Sequence, residues 1–238
     1  MKAVTPASET ERRILDANIL SAELSGVGLP EAERAAYQEA AQELGRLMTR
    51  YSANVLEAQK VWSHRITDPA SVEGLSSSWR ALTAKRARDA GDEGATPEAG
   101  PWRISLDWGS IHEILLHSTD RALREHCRRE IAAAGGDVNV PILKRILTLR
   151  SEQATRLGFD SYLSLSLADK MAPSRSDIDA LLGQLMVASE VPAQVEAEAL
   201  EAAAAAAGHP TPLQPWDRYF WAERLRESSF GHKDEQVR

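Results

Sequence analysis

The stretch SIHEILLHSTD, residues 110–120, carries two histidines and a glutamate, which are the residue types of a zinc peptidase site. In an H-E-x-x-H helix the two rings face one metal ion, and the glutamate can activate the water bound to it. His112 and His117 are five residues apart rather than four. At about 100° per residue, their rings point roughly 140° away from each other on a helix. The spacing therefore excludes a zinc site of that kind.

The remaining polar residues give no recognisable catalytic centre. None of the six histidines pairs with another at four-residue spacing. His126 and Cys127 are helix neighbours that diverge by about 100°, which makes a metal pair improbable. The sequence has no P-loop, nucleophile elbow or dinucleotide fingerprint. A basic cluster could bind an anion, but a solvated helix face is the simpler interpretation of Arg80, Lys85, Arg86 and Arg88.

An aromatic cluster near the carboxyl end is the other candidate for function. PWDRYFWAE places Trp216, Tyr219, Phe220 and Trp221 within six residues, which is more than one core stripe needs. Part of this cluster could line a groove instead of packing between helices. Both interpretations stay open from the sequence alone.

Composition indicates an all-α protein and excludes several classes of partner. The chain has 238 residues with few aromatic residues (5%), and its abundant Ala, Leu, Glu and Arg favour helices. A net charge of −7 argues against nucleic acid or a membrane surface as partner, and no apolar run has the length of a membrane span. The single cysteine suits a reducing compartment, so we expect a cytoplasmic protein.

Apolar periodicity and chain breakers predict about nine helices and one short strand-like segment. After a polar tail (1–11), a long helix is predicted over roughly 31–66, and AGDEGATPEAGP indicates a flexible loop (91–101). WRISLDW is the one strand-like stretch, because Trp102, Ile104 and Leu106 alternate with polar residues. Ser8 and Asp120 are expected to cap the helices that follow them. Among the later helices, one should begin near Pro141, and another should be kinked or split at Pro192.

Several segments, taken in order, resemble the M3 zinc metallopeptidases, the thimet oligopeptidase and oligopeptidase A group. They are ELSGVGLPEAERAAYQEAAQELGRLMTRYSANVLEAQKVW, ITDPASVEGL, ISLDWGSIHEILLHSTDRALREHCRRE, LTLRSEQATRLGFDSYLSLSLADKMA, LQPWDRYFWAERLRE and DEQVR. The resemblance covers residues 12–238, and the bacterial oligopeptidase A branch looks nearest. It implies part of the helical lobe of a neurolysin-like, two-lobed fold that flanks a narrow channel for short peptides.

The resemblance also implies that the catalytic groups lie elsewhere. Family members bind zinc on an H-E-F-G-H helix and a following acidic helix, which come after the part of the family that this chain resembles. No catalytic or metal residue is therefore assigned here, and the expected zinc belongs to a catalytic half that carries HExxH. Both ends look cut, and the shortened AAAGGDVNV loop and HCRREI depart from the family pattern.

Two hypotheses about function follow. The first is a partial M3 oligopeptidase that forms one wall of the peptide channel, with Trp216, Asp217 and Tyr219 as candidate channel residues. The second is a helical binding or structural subunit that derives from such a peptidase and has lost catalysis. In either case the resemblance implies short peptides or a missing catalytic half as partners.

Overall fold

The computed structural model describes residues 8–231, which include nine α-helices and one two-stranded sheet. The chain divides into two compact units, Met1–Ala53 with Val138–Ala188 and Asn54–Asp137 with Ser189–Arg238. The elements are α1 (Glu9–Leu24), α2 (Glu31–Val61), β1 (Ser63–Ile66), α3 (Ser77–Asp89), β2 (Trp102–Ser105), α4 (Trp108–His117), α5 (Arg121–Ala133), α6 (Gly136–Arg156), α7 (Tyr162–Leu167), α8 (Arg175–Ala206) and α9 (Arg218–Phe230). This content confirms the predicted all-α class.

The first unit contains α1, α7, most of α6 and parts of α2 and α8. Ser8 caps α1 by accepting a hydrogen bond from the backbone N–H of Glu11 at 3.2 Å, as the sequence predicts. The polar tail predicted for residues 1–11 therefore overlaps the start of α1, and residues 1–7 lie outside the described part. Within this unit Arg145 donates two hydrogen bonds to Glu43, at 2.8 and 2.7 Å.

The second unit has a continuous apolar core around the small sheet. β1 and β2 are antiparallel, with Ser63 opposite Ser105 and Ile66 opposite Trp102. Helices α3, α4 and α5 cover the sheet and bury thirteen residues: Ile66, Val72, Leu75, Trp79, Ala84, Trp102, Ile104, Leu106, Ile111, Ile114, Leu115, Leu123 and Cys127. Burial raises the pKa of Cys127 to about 12, so this thiol stays protonated and inert at neutral pH.

The predicted long helix over 31–66 was wrong at its carboxyl end. α2 ends at Val61, and the next residues form β1, so the described residues hold two strands where one was expected. The helical apolar stripe reaches Trp62 and gives no sign of a break before TDP. Pairing with β2 decides the conformation, because it buries Ile66 to 4% exposure in the core.

The two helix-interior prolines also differ from expectation. α6 begins at Gly136 instead of near Pro141, so the proline lies inside the helix, where it has no N–H to donate to the preceding turn. α8 runs without interruption from Arg175 to Ala206 and includes Pro192, so of the two predicted alternatives the split into two helices is wrong, and the kink stays a prediction. Neither site prevents the flanking turns from continuing the helix.

Residues 91–101 form a turn with specific hydrogen bonds. Thr96 and Gly100 exchange both backbone hydrogen bonds, at 3.0 and 2.9 Å, and the indole of Trp102 donates to the carbonyl of Pro97 at 3.2 Å. Gly100 has a φ of 67°, and a Cβ there would lie 2.7 Å from the ring of Trp102. The turn thus needs glycine at this position. The flexibility predicted for the loop stays a prediction.

A search of the described helices found none long and apolar enough to cross a membrane.

Ile114 offers a test of the core of the second unit. It is fully buried, and Ile114→Ala should lower the free energy of unfolding by roughly 2–5 kcal/mol, because it removes apolar contacts and leaves a cavity. Leu82→Ala is the matched control: Leu82 is 45% exposed, and its loss should change stability by about 0.5 kcal/mol or less. Urea denaturation followed by circular dichroism measures both, and equal effects of the two changes would contradict this assignment of the core.

Candidate functional site

A buried carboxylate fixes the start of α9 in the second unit. Asp217 has no exposed surface, and its Oδ2 accepts from Nη2 of Arg121 at 2.8 Å while its Oδ1 accepts from Nη2 of Arg124 at 3.0 Å. Nε of Arg121 adds a third bond at 3.0 Å, and the backbone N–H of Gln214 adds a fourth at 3.2 Å. Both oxygens of the carboxylate thus accept hydrogen bonds, which is the condition for burying a charged group without a large loss of stability.

Arg124 links three elements through one side chain. It is 1% exposed, and beyond Asp217 it donates to the carbonyl of Ser118 at 2.7 Å and to that of Trp216 at 3.2 Å. Its guanidinium also lies 4.2 Å from the ring centroid of Phe220, in a cation–π contact. The arginine on α5 therefore holds the residue after α4 and the first turn of α9 in one arrangement.

Burial and the neighbouring charges shift the pKa of Asp217 and the pKa of Arg124. Burial alone raises the pKa of Asp217, but hydrogen bonds from Arg121, Arg124 and the Gln214 backbone outweigh it and lower the pKa below its ordinary value. Burial lowers the pKa of Arg124, against the opposing effect of Asp217. A guanidinium remains charged far above neutral pH, so the pair stays ionised in the folded protein.

Helices α4 and α9, together with α3 and the loop before it, line a cleft of about 980 Å³. We call it the α3–α4–α9 cleft. One side is the loop before α3 with the first turn of that helix, and the floor and far side come from α4 and α9. The lining consists of Gly74, Leu75, Ser76, Ser77, Ser78, Arg80, Trp108, Gly109, His112, Glu113, Leu116, His117, Arg224 and Glu227.

The loop before α3 has its position fixed by a close approach to α4. Gly74 has a φ of 85°, and a Cβ there would lie 2.3 Å from the backbone oxygen of His117, so only glycine fits. The hydroxyl of Ser76 caps α3 by accepting from Trp79 N–H at 3.2 Å, and the N–H of Ser76 donates to Glu113 at 2.9 Å. These contacts hold the amino end of α3 open to the cleft.

Three rings form a row along the cleft and next to it. Trp108 stacks on His112 with 4.8 Å between ring centroids, and His112 meets Tyr219 edge-on at 5.8 Å. Trp108 is 60% exposed and Tyr219 43% exposed, so both side chains are open to solvent. Exposed aromatic side chains on a fixed scaffold are suited to binding apolar or aromatic groups. We call Trp108, His112 and Tyr219 the aromatic row.

The three candidate channel residues occupy different environments. Tyr219 is exposed, as contact with a peptide requires, and it belongs to the aromatic row. Trp216 is half-buried beneath the guanidinium groups of Arg121 and Arg129, at 5.7 and 5.0 Å from its ring. Asp217 has no surface to offer a peptide. The channel role of these residues stays a prediction, and the sequence did not signal Trp108 or His112 as their neighbours.

The four basic residues of α3 each make different contacts. Lys85 pairs with Asp89 at 2.7 Å on the surface, and Arg86 pairs with Asp107 at 2.8 Å and bonds Ser110. Arg88 donates to a backbone carbonyl in the following turn. Arg80 donates to the carbonyl of Val72 at 3.0 Å and forms no ion pair within residues 8–231. Of the four, Arg80 is therefore the cation that the cleft can offer to an anion.

Two of the six histidines come together in a way that spacing could not show. His64 on β1 and His126 on α5 lie 4.7 Å apart between ring centroids, beside Trp62. Burial, and then the nearby His126, lower the pKa of His64 below its ordinary value. His64 is thus held largely neutral at physiological pH.

Three side chains lie close enough together to bind one metal ion, but both carboxylates among them already form ion pairs with arginines. Potential ligand atoms of His117, Glu223 and Glu227 lie within 4.8 Å of one another. Both oxygens of Glu223 accept from Arg226, at 2.8 and 2.6 Å, and Glu227 accepts from Arg224 at 3.2 Å. These partners leave little negative charge for a cation, so the described residues do not fit a catalytic zinc. His112 stacks in the aromatic row instead of joining His117.

Comparison with known proteins identifies the family. Residues 114–238 match the model of peptidase family M3, and this match covers more than half of the chain. The chain therefore belongs to peptidase family M3, whose members are generally zinc-dependent.

Individual relatives align with nearly the whole chain. A probable cytosolic oligopeptidase A of Arabidopsis thaliana is 39% identical over 97% of this chain and 34% of its own length. Oligopeptidase A of Salmonella typhimurium is 32% identical over 96% and 34%. The dipeptidyl carboxypeptidase of Escherichia coli is 27% identical over 90% and 31%. The chain thus spans about a third of the length of these relatives. The plant protein shares more identity with this chain than the Salmonella oligopeptidase A does, and the expectation that the bacterial branch is nearest stays untested.

Asp217 offers a direct test of the buried ion-pair cluster. Asp217→Asn should lower the free energy of unfolding by roughly 3–5 kcal/mol, since it leaves Arg124 buried without a carboxylate. The control Asp89→Asn breaks the exposed pair with Lys85 and should cost about 1 kcal/mol or less. Chemical denaturation at pH 7 measures both, and a small loss for Asp217→Asn would contradict a structural role.

The stability of the Asp217→Asn variant should also be less sensitive to acid than that of the parent. The folded-state pKa of Asp217 lies below the unfolded value of about 3.9, so the pairing stabilises the protein fully above pH 4 or so. That contribution is lost as pH falls through the folded-state pKa. Stability measured from pH 7 to pH 2 should therefore fall less steeply for Asp217→Asn than for the parent below pH 4. Parallel curves would show that the carboxylate is not specifically stabilised.

Proposed function

We propose that this chain forms a peptide-binding wall of an M3 oligopeptidase and is catalytically incomplete on its own. The aromatic row carries the proposal: two exposed rings flank a histidine beside a cleft, in a chain whose relatives are named oligopeptidases. The zinc ligands and the general base would belong to a part of the peptidase outside this chain. A cytoplasmic location is part of the same proposal.

The dimensions of the row suit a short extended peptide. The ring-to-ring steps of 4.8 and 5.8 Å set the upper limit of the distance between the rings of Trp108 and Tyr219, which is about three residues of an extended chain at about 3.4 Å each. Apolar or aromatic peptide side chains would pack on Trp108 and Tyr219. Binding by a fixed wall orders the peptide before hydrolysis, which lowers the entropic part of the barrier at the zinc elsewhere.

Polar groups at the other side of the cleft give the peptide an orientation. The N–H groups of Ser77 and Ser78 lie in the first turn of α3, where a helix has no acceptor for them and carries partial positive charge. Arg80 lies nearby without an ion-pair partner among the described residues. An acidic peptide group would bind here while apolar groups bind along the aromatic row.

The alternative is a non-catalytic binding or structural subunit derived from such a peptidase. The lack of fit between His117, Glu223 and Glu227 and a catalytic zinc is compatible with this alternative as well as with the preferred function. A subunit of this kind would form a stoichiometric complex with a chain unrelated to peptidases, whereas the preferred function requires affinity for short peptides.

Tyr219→Ala tests the preferred function. The variant should bind a fluorescent-labelled short apolar peptide about five- to thirtyfold more weakly, since an aromatic contact is worth about 1–2 kcal/mol. Tyr219 is 43% exposed, so the melting temperature should shift little. Fluorescence anisotropy measures the affinity, and differential scanning calorimetry the stability.

Tyr219→Phe is the matched control, because it keeps the ring and should retain most of the affinity. A lower melting temperature without any change in affinity would assign Tyr219 to helix packing and contradict the proposal. Binding that neither variant changes would place the peptide elsewhere on the molecule.

A further inference from the structure

Three rings from different elements form a cluster at the edge of the apolar core in the second unit. The ring of His64 on β1 lies 4.7 Å from that of His126 on α5, measured between ring centroids. Trp62, the residue between α2 and β1, has its ring 6.2 Å from His64 and 5.7 Å from His126. Trp62 packs against the core, and both histidines are half-buried. We call these three residues the histidine cluster.

The histidine cluster connects β1 to α5 through side chains. Successive side chains of a strand point to opposite faces, so His64 lies on the same face of β1 as the buried Ile66. Arg65 lies on the other face, where it forms an ion pair with Asp92. The contact between the rings of His64 and His126 therefore holds the amino-terminal part of β1 on α5, beside the core.

The charges that act on His64 come from α5. They are those of His126 and Glu130, and the Glu130 carboxylate lies 3.8 Å from Nδ1 of His126. From β2, the residue opposite His64 is the apolar Ile104, and its neighbour Arg103 lies on the other face of the strand. Glu130 is 37% exposed, so water screens its charge. A proton on His64 is therefore compensated only in part.

Protonation opposes the contact between the two rings. Burial, and then the nearby His126, lower the pKa of His64 in the closed contact, and Glu130 offsets only part of this effect. When the contact opens, the imidazole enters water and regains the ordinary pKa of about 6.5, so the open state binds a proton more readily. The closed contact therefore has its full stability above about pH 6.5 and loses stability as the pH falls below that value.

We propose that the histidine cluster is a pH-sensitive contact, which holds β1 on α5 near neutral pH and releases it in mildly acidic solution. The ion pairs of Asp217 with Arg121 and Arg124, at the amino end of α5, persist under these conditions, because this carboxylate takes up a proton only below about pH 4. The release is therefore confined to β1 and the later turns of α5. None of the three residues lines the α3–α4–α9 cleft, so the contact is independent of the proposed peptide binding.

Amide hydrogen exchange of the full chain at pH 7.5 and pH 5.5 tests this proposal without any substitution. After correction for the pH dependence of intrinsic exchange, peptides covering residues 63–66 and 126–133 should lose protection by roughly threefold or more at the lower pH. Peptides covering α9 should keep theirs, because Asp217 stays ionised. Unchanged protection of residues 63–66 and 126–133 would overturn the proposal. An equal loss in α9 would overturn it too, because the effect would then be global.

His64→Phe and His112→Phe are matched variants, since each replaces a histidine stacked on a tryptophan by a ring that cannot bind a proton. His64→Phe should give residues 63–66 equal protection at both pH values, whereas His112→Phe should show the loss seen in the parent. A parent-like loss in His64→Phe would assign the pH dependence to another group and overturn the proposal.

Titration of the His64 Cε1 proton by NMR needs no substitution of His64 itself. Its midpoint should lie below the ordinary histidine value in the parent and rise in His126→Phe, because the second imidazole is then absent. A midpoint at or above the ordinary value in the parent would contradict the proposed contact.

Discussion

The pairing of Asp217 with two arginines is the interaction on which the candidate site depends. A carboxylate with no exposed surface is tolerated because Arg121 and Arg124 supply both charge and directed hydrogen bonds. Its position just before α9 fixes where that helix begins. Arg124, itself buried, extends the constraint to the carbonyl of Ser118 after α4. The charges thus set the arrangement of α4, α5 and α9, which apolar packing alone would leave less specific.

The positions of the side chains around the cleft follow from this arrangement. Tyr219 lies two residues after Asp217, so fixing the start of α9 brings its ring to His112 on α4. The same placement of α9 brings Arg224 and Glu227 to the far side of the α3–α4–α9 cleft. Gly74 and Ser76 complete the cleft from the opposite side, through a close backbone approach and a helix cap. The buried ion-pair cluster, the aromatic row and the cleft therefore depend on one arrangement of α4 and α9, and the proposed peptide binding rests on that arrangement.

Local signals in the sequence predicted much of the fold. Ser8 and Asp120 were expected to cap α1 and α5, and both side chains accept the expected backbone hydrogen bonds. These features succeed because a cap is decided within four residues. β1 was missed because its conformation depends on pairing with β2, about forty residues along the chain. Pro192 was expected to kink or split α8, and the split is wrong, because the flanking alanine-rich sequence continues the helix through it.

The candidate site was predictable only in part, for the same reason. The aromatic cluster after Pro215 left both a groove and helix packing open, and Tyr219 is exposed next to a cleft. Asp217 was a candidate channel residue, and its burial could not be predicted because the arginines that bury it lie more than ninety residues earlier. Nothing in the sequence placed Trp108 or His112 beside Tyr219, since Tyr219 belongs to a distant helix. The five-residue spacing of His112 and His117 did exclude a shared metal ion, because that geometry is set within a single helix.

Amide hydrogen exchange of Asp217→Asn compared with the parent chain tests most directly the claim that one buried carboxylate orders the cleft. Peptides covering α9 and α4 should lose protection in the variant, while β1, β2 and α3 keep it, because only the first two depend on the arginine contacts. Asp89→Asn should leave every segment unchanged. Uniform loss of protection across the second unit would show that Asp217 contributes only to global stability. Unchanged protection in α9 would contradict the account outright.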